Sequence, residues 1–242
     1  PAALNNVSDM YSTAFVNTDA DLDAIAEGLK RTRSGRLCLY GAPGTGKSEY
    51  VRWLAARLDM PLVIKRASDL LSPFVGMTEK LIAGAFHSAR QQGAVLLIDE
   101  ADSFLQDRAN ARASWEVSQV NELLTQMESF PGIFCATTNL FKEIDRASLR
   151  RFDLKAEFRP MTTKQTVEFA KCCAGKLALG ELSAADVARV ERLDGLTPGD
   201  FAAVRRGGRF NPLKNTADFV TRLEGEVQMK EEGRKKPQIG FY

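Results

Sequence analysis

Apolar residues fall in short blocks along the first two thirds of the chain, and the spacing within successive blocks alternates between two periods. "RLCLYG", "PLVIKRA", "AVLLIDE", "GIFCATTN" and "DLKAEF" are brief and bounded by Gly, Pro, Asn or Asp, which is how strands buried on both faces read. Between them the period becomes helical: Tyr50, Val51, Leu54, Ala55 and Leu58, then Leu81, Ile82, Ala85, Phe86 and Ala89, then Val117, Val120, Leu124 and Met127. Each set forms one stripe, expected to pack on a sheet. Strands alternating with helices predict a parallel sheet with crossover helices. After Pro160 the strand blocks stop, and "TKQTVEFAKCCAGKLAL", "SAADVARVERL", "GDFAAVRR" and "NTADFVTRLEGEVQ" all carry helical spacing. The expected organisation is a large α/β domain over 1–158 and a small helical domain over 159–242. "MKEEGRKKPQ" is charged enough to fray.

Composition narrows this little. With 44% hydrophobic and 26% charged residues in 242, the chain is ordinary globular material. No apolar run approaches the roughly 18 residues of a membrane span and no secretory signal opens the chain, so a cytoplasmic location is expected. The 33 basic and 31 acidic residues leave a net charge of +2, too near balance to hold a membrane or nucleic acid by bulk attraction. Of the four cysteines, none forms a C-x-x-C pair or neighbours His87, the one histidine, which speaks against a zinc site. Cys38 and Cys135 lie inside strand blocks and are expected in the core as small hydrophobes. Cys172 and Cys173 adjoin on a helix and carry no functional reading.

Candidate chemistry begins where the first of these strand blocks ends. Gly41, Ala42, Pro43, Gly44, Thr45, Gly46, Lys47 and Ser48 stand between a strand and a helical stripe, the setting a phosphate-binding loop requires. Its glycines let backbone N–H groups turn onto phosphate oxygens, Lys47 reaches the terminal phosphates of ATP, and Ser48 holds Mg2+. "VLLIDEAD" sets Asp99 and Glu100 at the carboxyl edge of the sheet. There Asp99 would hold Mg2+ through water, and Glu100 would orient and deprotonate an attacking water. The competing reading has both carboxylates capping the next helix. The spelling "DEAD" invites a helicase reading, but the phosphate loop lacks the usual helicase form and no later helicase motif follows.

"GAPGTGKS", "LLIDEAD", "CATTN" and "DRASLRRFD", in this order, resemble the AAA family of ATPases over roughly Phe15 to Gly208. The likeness is closest to bacterial modules that end longer polypeptides. It implies a five-stranded parallel P-loop NTPase core, a C-terminal small helical lid domain, and a homo-oligomeric ring, usually hexameric, with ATP bound between neighbours. By position, Asn139 matches the polar sensor that meets the γ-phosphate or the attacking water. Arg150 and Arg151 match the arginines that reach a neighbour's site. Here they adjoin, where Pro-Gly commonly separates them; some branches, microtubule-severing relatives among them, share the adjacency. A turn residue and surface ion pairs are the plainer alternatives for Asn139 and the arginines. "LTPGDF" resembles the entry to the lid helix, with Pro198 and Gly199 in place of the usual pair, and Val16 and Asn17 stand where the family walls the adenine pocket.

"SPFVGMTEK" matches the loop that family unfoldases present to a central channel. Phe74, Val75 and Gly76 fit the aromatic, hydrophobic and glycine triplet. An exposed ring grips passing polypeptide without sequence preference, and glycine lets the loop move; alternatively, Phe74 tucks beneath the loop as satellite core. Residues 106–114, with Arg108 and Arg112, would form a second channel loop or a solvated one. Two functions follow: remodelling of protein substrates by an ATP-driven ring, or ATP-driven work on nucleic acid or its loading factors. The Phe74 loop and the near-neutral charge favour the first. An assembly scaffold with slow hydrolysis is a weaker third, which Glu100 and the arginine pair oppose.

Overall fold

The computed structural model describes residues 7–105, 114–140 and 144–235. Its contacts form two units. The first holds the described residues of Pro1–Thr13, Thr18–Ala42 and Lys47–Phe158, and the second Ala14–Asn17, Pro43–Gly46 and those of Arg159–Tyr242.

The strands are β1 (Asn17–Thr18), β2 (Gly35–Gly41), β3 (Leu62–Arg66), β4 (Val95–Asp99), β5 (Ile133–Thr138) and β6 (Leu154–Arg159), in the sheet order β1-β6-β2-β5-β4-β3. The five longer strands are the predicted five and pair in parallel, with Leu37 opposite Cys135 and Leu154, and Leu97 opposite Ile64 and Cys135. The sixth, β1, is a two-residue edge strand with no apolar block to announce it. The fold is therefore α/β with a mostly parallel sheet. Because β2, β4 and β5 are neighbours running the same way, the residues after Tyr40, Ile98 and Thr138 leave the sheet at one edge.

Gly41 ends β2 at φ 126°, and a Cβ there would lie 2.0 Å from the Phe158 carbonyl oxygen, so only glycine fits beside β6. The helices of this unit are α1 (Leu22–Thr32), α2 (Lys47–Arg57), α3 (Ala67–Leu70), α4 (Met77–Gln92), α5 (Asp102–Leu105), α6 (Ser114–Ser129) and α7 (Arg146–Leu149). Asp21 caps α1 by accepting the Ala24 N–H at 2.9 Å.

The predicted stripes of α2 and α4 are buried, with one correction. Leu81 is exposed, because it stands a helical step away from Ile82 and Phe86, which are fully buried. The core centres on aromatic rings, Phe86 lying 5.4 Å from Phe130 and 5.2 Å from Phe134. In the second unit, α8 (Thr163–Lys176), α9 (Ala184–Val190), α10 (Pro198–Gly207) and α11 (Thr216–Lys235) follow the four predicted helical stretches. Phe201 joins them, 4.9 Å from Phe169 and 6.1 Å from Phe219. Among the described residues no helix is long and apolar enough to cross a membrane.

Cys38 and Cys135 are fully buried on adjacent strands, and burial pushes both thiols up to about 12. Alkylation of the native protein at pH 8, read by peptide mass spectrometry, should label the half-buried Cys172 and spare these two until the protein is unfolded. Rapid native labelling of either would contradict the packed core.

Candidate functional site

Lys47 opens α2 with its side chain almost wholly buried. Its Nζ donates to the Gly41 and Ala42 carbonyls and to Asn139 Oδ1, each at 2.8 Å. Burial pushes the ammonium down to about 8, while Asp99, Asp102 and Glu100, in falling order, pull the other way. Next in sequence, Ser48 Oγ donates to Asp99 Oδ1 at 2.7 Å. Thr137 also donates to Asp99 Oδ1, and its own oxygen accepts the Glu100 N–H at 3.0 Å. The chain leaves β4 through Glu100 at φ 55°, a left-handed turn that a non-glycine residue rarely takes, and Glu100 ends exposed. Asp99 is thus engaged by the phosphate-loop serine, and neither Asp99 nor Glu100 heads the following helix: Asp102 does.

Three residues of this cluster escaped the sequence reading: Thr137, Thr138 and Asp102. Asp102 Oδ1 accepts the Thr138 hydroxyl and the N–H groups of Asn139 and Leu140, the last two at 3.1 and 3.3 Å. A signal existed. Two adjacent hydroxyls close a strand whose six residues are all buried, and buried hydroxyls need partners.

In the second unit, the Gly199 N–H at the start of α10 donates to the Gly44 carbonyl at 2.9 Å. A Cβ on Gly199 would come within 2.8 Å of Gly44 Cα, and one on Gly44 within 2.8 Å of Thr197 Oγ1. Glycine at 199 therefore serves close approach to the loop, and Gly44, at φ 77°, serves both approach and turn. Thr197 and Asp200 form the capping box of α10, and Lys230 Nζ donates to Asp200 Oδ2 at 2.5 Å and to the Gly195 carbonyl at 3.1 Å. Val16 is buried and its carbonyl accepts from Gln165 Nε2 at 3.2 Å; Asn17 Nδ2 donates to the Pro160 carbonyl at 2.6 Å. Phe15 packs on Phe169, ring centres 4.9 Å apart, which makes it an apolar anchor.

No hydrogen bond or ion pair among the described residues joins the arginine pair to the lysine cluster. Arg151 pairs with Glu128 at the end of α6, whereas Arg150 is exposed and makes no side-chain hydrogen bond or ion pair among the described residues. Arg108 and Arg112 lie outside the described residues. Phe74 is 73% and Val75 97% exposed, so the satellite-core alternative for Phe74 does not hold. Gly76, at φ 75°, is the N-cap of α4, and the Ser72 N–H donates to Thr78 Oγ1 at 3.0 Å, which pins the loop's base while its tip stays in solvent. Phe74→Ala should accordingly change unfolding free energy by no more than about 0.5 kcal/mol in a denaturant titration. A loss of about 3 kcal/mol, as for a core phenylalanine, would restore the packing role.

Against known proteins, the family model "ATPase family associated with various cellular activities (AAA)" matches residues 37–160. The Spastin proteins of Drosophila erecta and Drosophila melanogaster are 30% identical over 199 residues, 77% of this chain and 26% of theirs. The chain thus spans about a quarter of the length of these relatives. A chain of the E. coli MS115-1 HORMA:CdnC:Trip13 complex shares the fold, with a TM-score of 0.62 at 21% identity over 93% of this chain and 80% of that one. The phosphate-loop lysine, the strand-end carboxylates and the family match agree: this chain belongs to the AAA family of ATPases.

Proposed function

We propose that this chain binds ATP with Mg2+, hydrolyses it, and couples hydrolysis to the remodelling of polypeptides as part of a homo-oligomeric ring. The observation that carries the reading is the convergence of three strand ends. Lys47 after β2 is bonded to Asn139 after β5, and Ser48 beside it is bonded to Asp99 at the end of β4.

The roles follow from the groups. The three N–H donors of Lys47 now satisfy oxygens of the protein; a triphosphate offers stronger, charged acceptors to the same ammonium. Ser48 Oγ and Asp99 Oδ1, 2.7 Å apart, are hard oxygen donors, and a pair of this kind suits Mg2+, which binds through one or two protein oxygens plus phosphates. Ser48 and Asp99 would hold the ion, and the chemistry it would supply is neutralisation of phosphate charge. Glu100, exposed beyond its left-handed turn, can orient a water and accept its proton. Asn139 would contact the γ-phosphate or that water.

Arg150, exposed and unengaged among the described residues, is the member of the pair that supports a role in a neighbour's site. Arginine fingers are worth about 10³ to 10⁵ in rate in related chemistry. Phe74 and Val75 support a polypeptide substrate, since an exposed apolar pair on a pinned loop grips without regard to sequence.

The test separates binding from turnover. Lys47→Ala should lose ATP binding in a filter or fluorescence assay, whereas Glu100→Gln should keep it with turnover reduced by about 10² or more. Unfolded polypeptide, and not single-stranded DNA, should raise wild-type turnover. Tight ATP binding by Lys47→Ala would refute the assignment of the phosphate loop, and stimulation by DNA alone would replace the substrate class.

A further inference from the structure

Thr137 and Thr138 are consecutive residues at the end of β5, so their side chains leave opposite faces of the sheet. Each is taken by a different carboxylate of the same turn. Asp99 receives the Thr137 hydroxyl, and Asp102, three residues on at the start of α5, receives the Thr138 hydroxyl. The strand end is thereby held from both faces. Asp102 goes further, because the same oxygen also accepts the N–H groups of Asn139 and Leu140. Three donors converging on one carboxylate oxygen fix that turn far more tightly than any one of them would. Bonds to an ionised acceptor are also roughly twice as strong as neutral ones. Thr138, 1% exposed, has little access to water as a substitute partner. The residue this turn carries is Asn139, whose Oδ1 meets Lys47 Nζ.

We propose that Asp102 is a positioning residue for ATP hydrolysis: it holds the turn after β5 so that Asn139 is aimed at the reacting phosphate, while touching neither nucleotide nor water itself. The inference rests on the hydrolytic reading above and adds a residue to it. Loss of the carboxylate frees the Asn139 amide, leaves the Leu140 amide only its bond to Thr138 Oγ1 at 3.0 Å, removes the acceptor of the Thr138 hydroxyl, and lets Asn139 wander, which misplaces a group needed in the transition state. Binding of ATP, which depends on the phosphate loop and Lys47, is spared. Asp102→Asn keeps Oδ1 as a neutral and weaker acceptor, and so restores part of what Asp102→Ala loses.

Two readouts test this. In Asp102→Ala, amide exchange measured by NMR should accelerate by about tenfold or more at Asn139, and by less at Leu140, whose N–H keeps Thr138 Oγ1 as an acceptor. Affinity for a non-hydrolysable ATP analogue should stay within about threefold while kcat falls by about tenfold or more. Asp102→Asn should recover a substantial part of both losses, and Thr138→Val should show a partial kcat loss of the same kind. If Asp102→Ala does not fold, the Asn and Val variants carry the test. Unchanged exchange at the two amides, an unchanged kcat, or a parallel fall of analogue affinity and kcat in all variants would overturn the proposal. A wild-type protein that turns over no ATP would instead refute the hydrolytic reading. Amide exchange would still decide whether Asp102 holds the turn.

Discussion

A buried ammonium must be given acceptors, and the arrangement of the first unit can be read as the means of giving Lys47 its three. Two are carbonyls of the glycine turn that ends β2, and the third is the side-chain oxygen of Asn139, from the far side of the β2–β5 pair. Left without partners such a charge would cost several kcal/mol or lose its proton. With them it persists with a depressed pKa near 8, its charge favoured further by three nearby carboxylates. An ammonium poised in this way responds strongly to any added anion, which is why a parallel sheet with its strand ends on one edge suits polyphosphate chemistry.

The remainder of the first unit keeps those strand ends in register. The rings of Phe86, Phe130 and Phe134 lock α4, β5 and the turn before it into one core. Gly41 admits β6 at a distance no side chain allows. At the carboxyl edge the carboxylates divide the work: Asp99 faces the phosphate-loop serine, Glu100 is turned out to solvent, and Asp102 grips the turn after β5. In the second unit a different device acts, a backbone contact in which Gly199 meets Gly44 with no room for a Cβ on either.

Much of this was legible in the sequence, for physical reasons. β4 and β5 are buried along nearly their whole length and so read as continuous apolar runs, β3 and β6 stood out as short blocks bounded by turn residues, and the phosphate loop declared itself because glycine, lysine and serine at that spacing have few other uses. What escaped lacked a periodic signature. β1 is two residues long, and α3, α5 and α7 are four residues each, too short for a helical stripe to repeat. Leu81 fits the apolar pattern of α4 yet is exposed, while Thr78 and Ile82 on either side of it are buried. Asp102 and the two threonines act through contacts between segments about 36 residues apart, which no local pattern encodes. The exposure of Phe74 could not be read from its neighbours either: proline and glycine around it suit a tucked ring as well as a presented one.

Arg150, exposed in its own chain, is proposed to complete the active site of a neighbouring copy. ATP hydrolysis per subunit, measured across a wide range of protein concentration, tests that role. A steep rise is expected as copies assemble, and Arg150→Ala should abolish the rise without loss of assembly. A rate per subunit that stays flat from dilute to concentrated protein, or one that climbs equally well in Arg150→Ala, would contradict it.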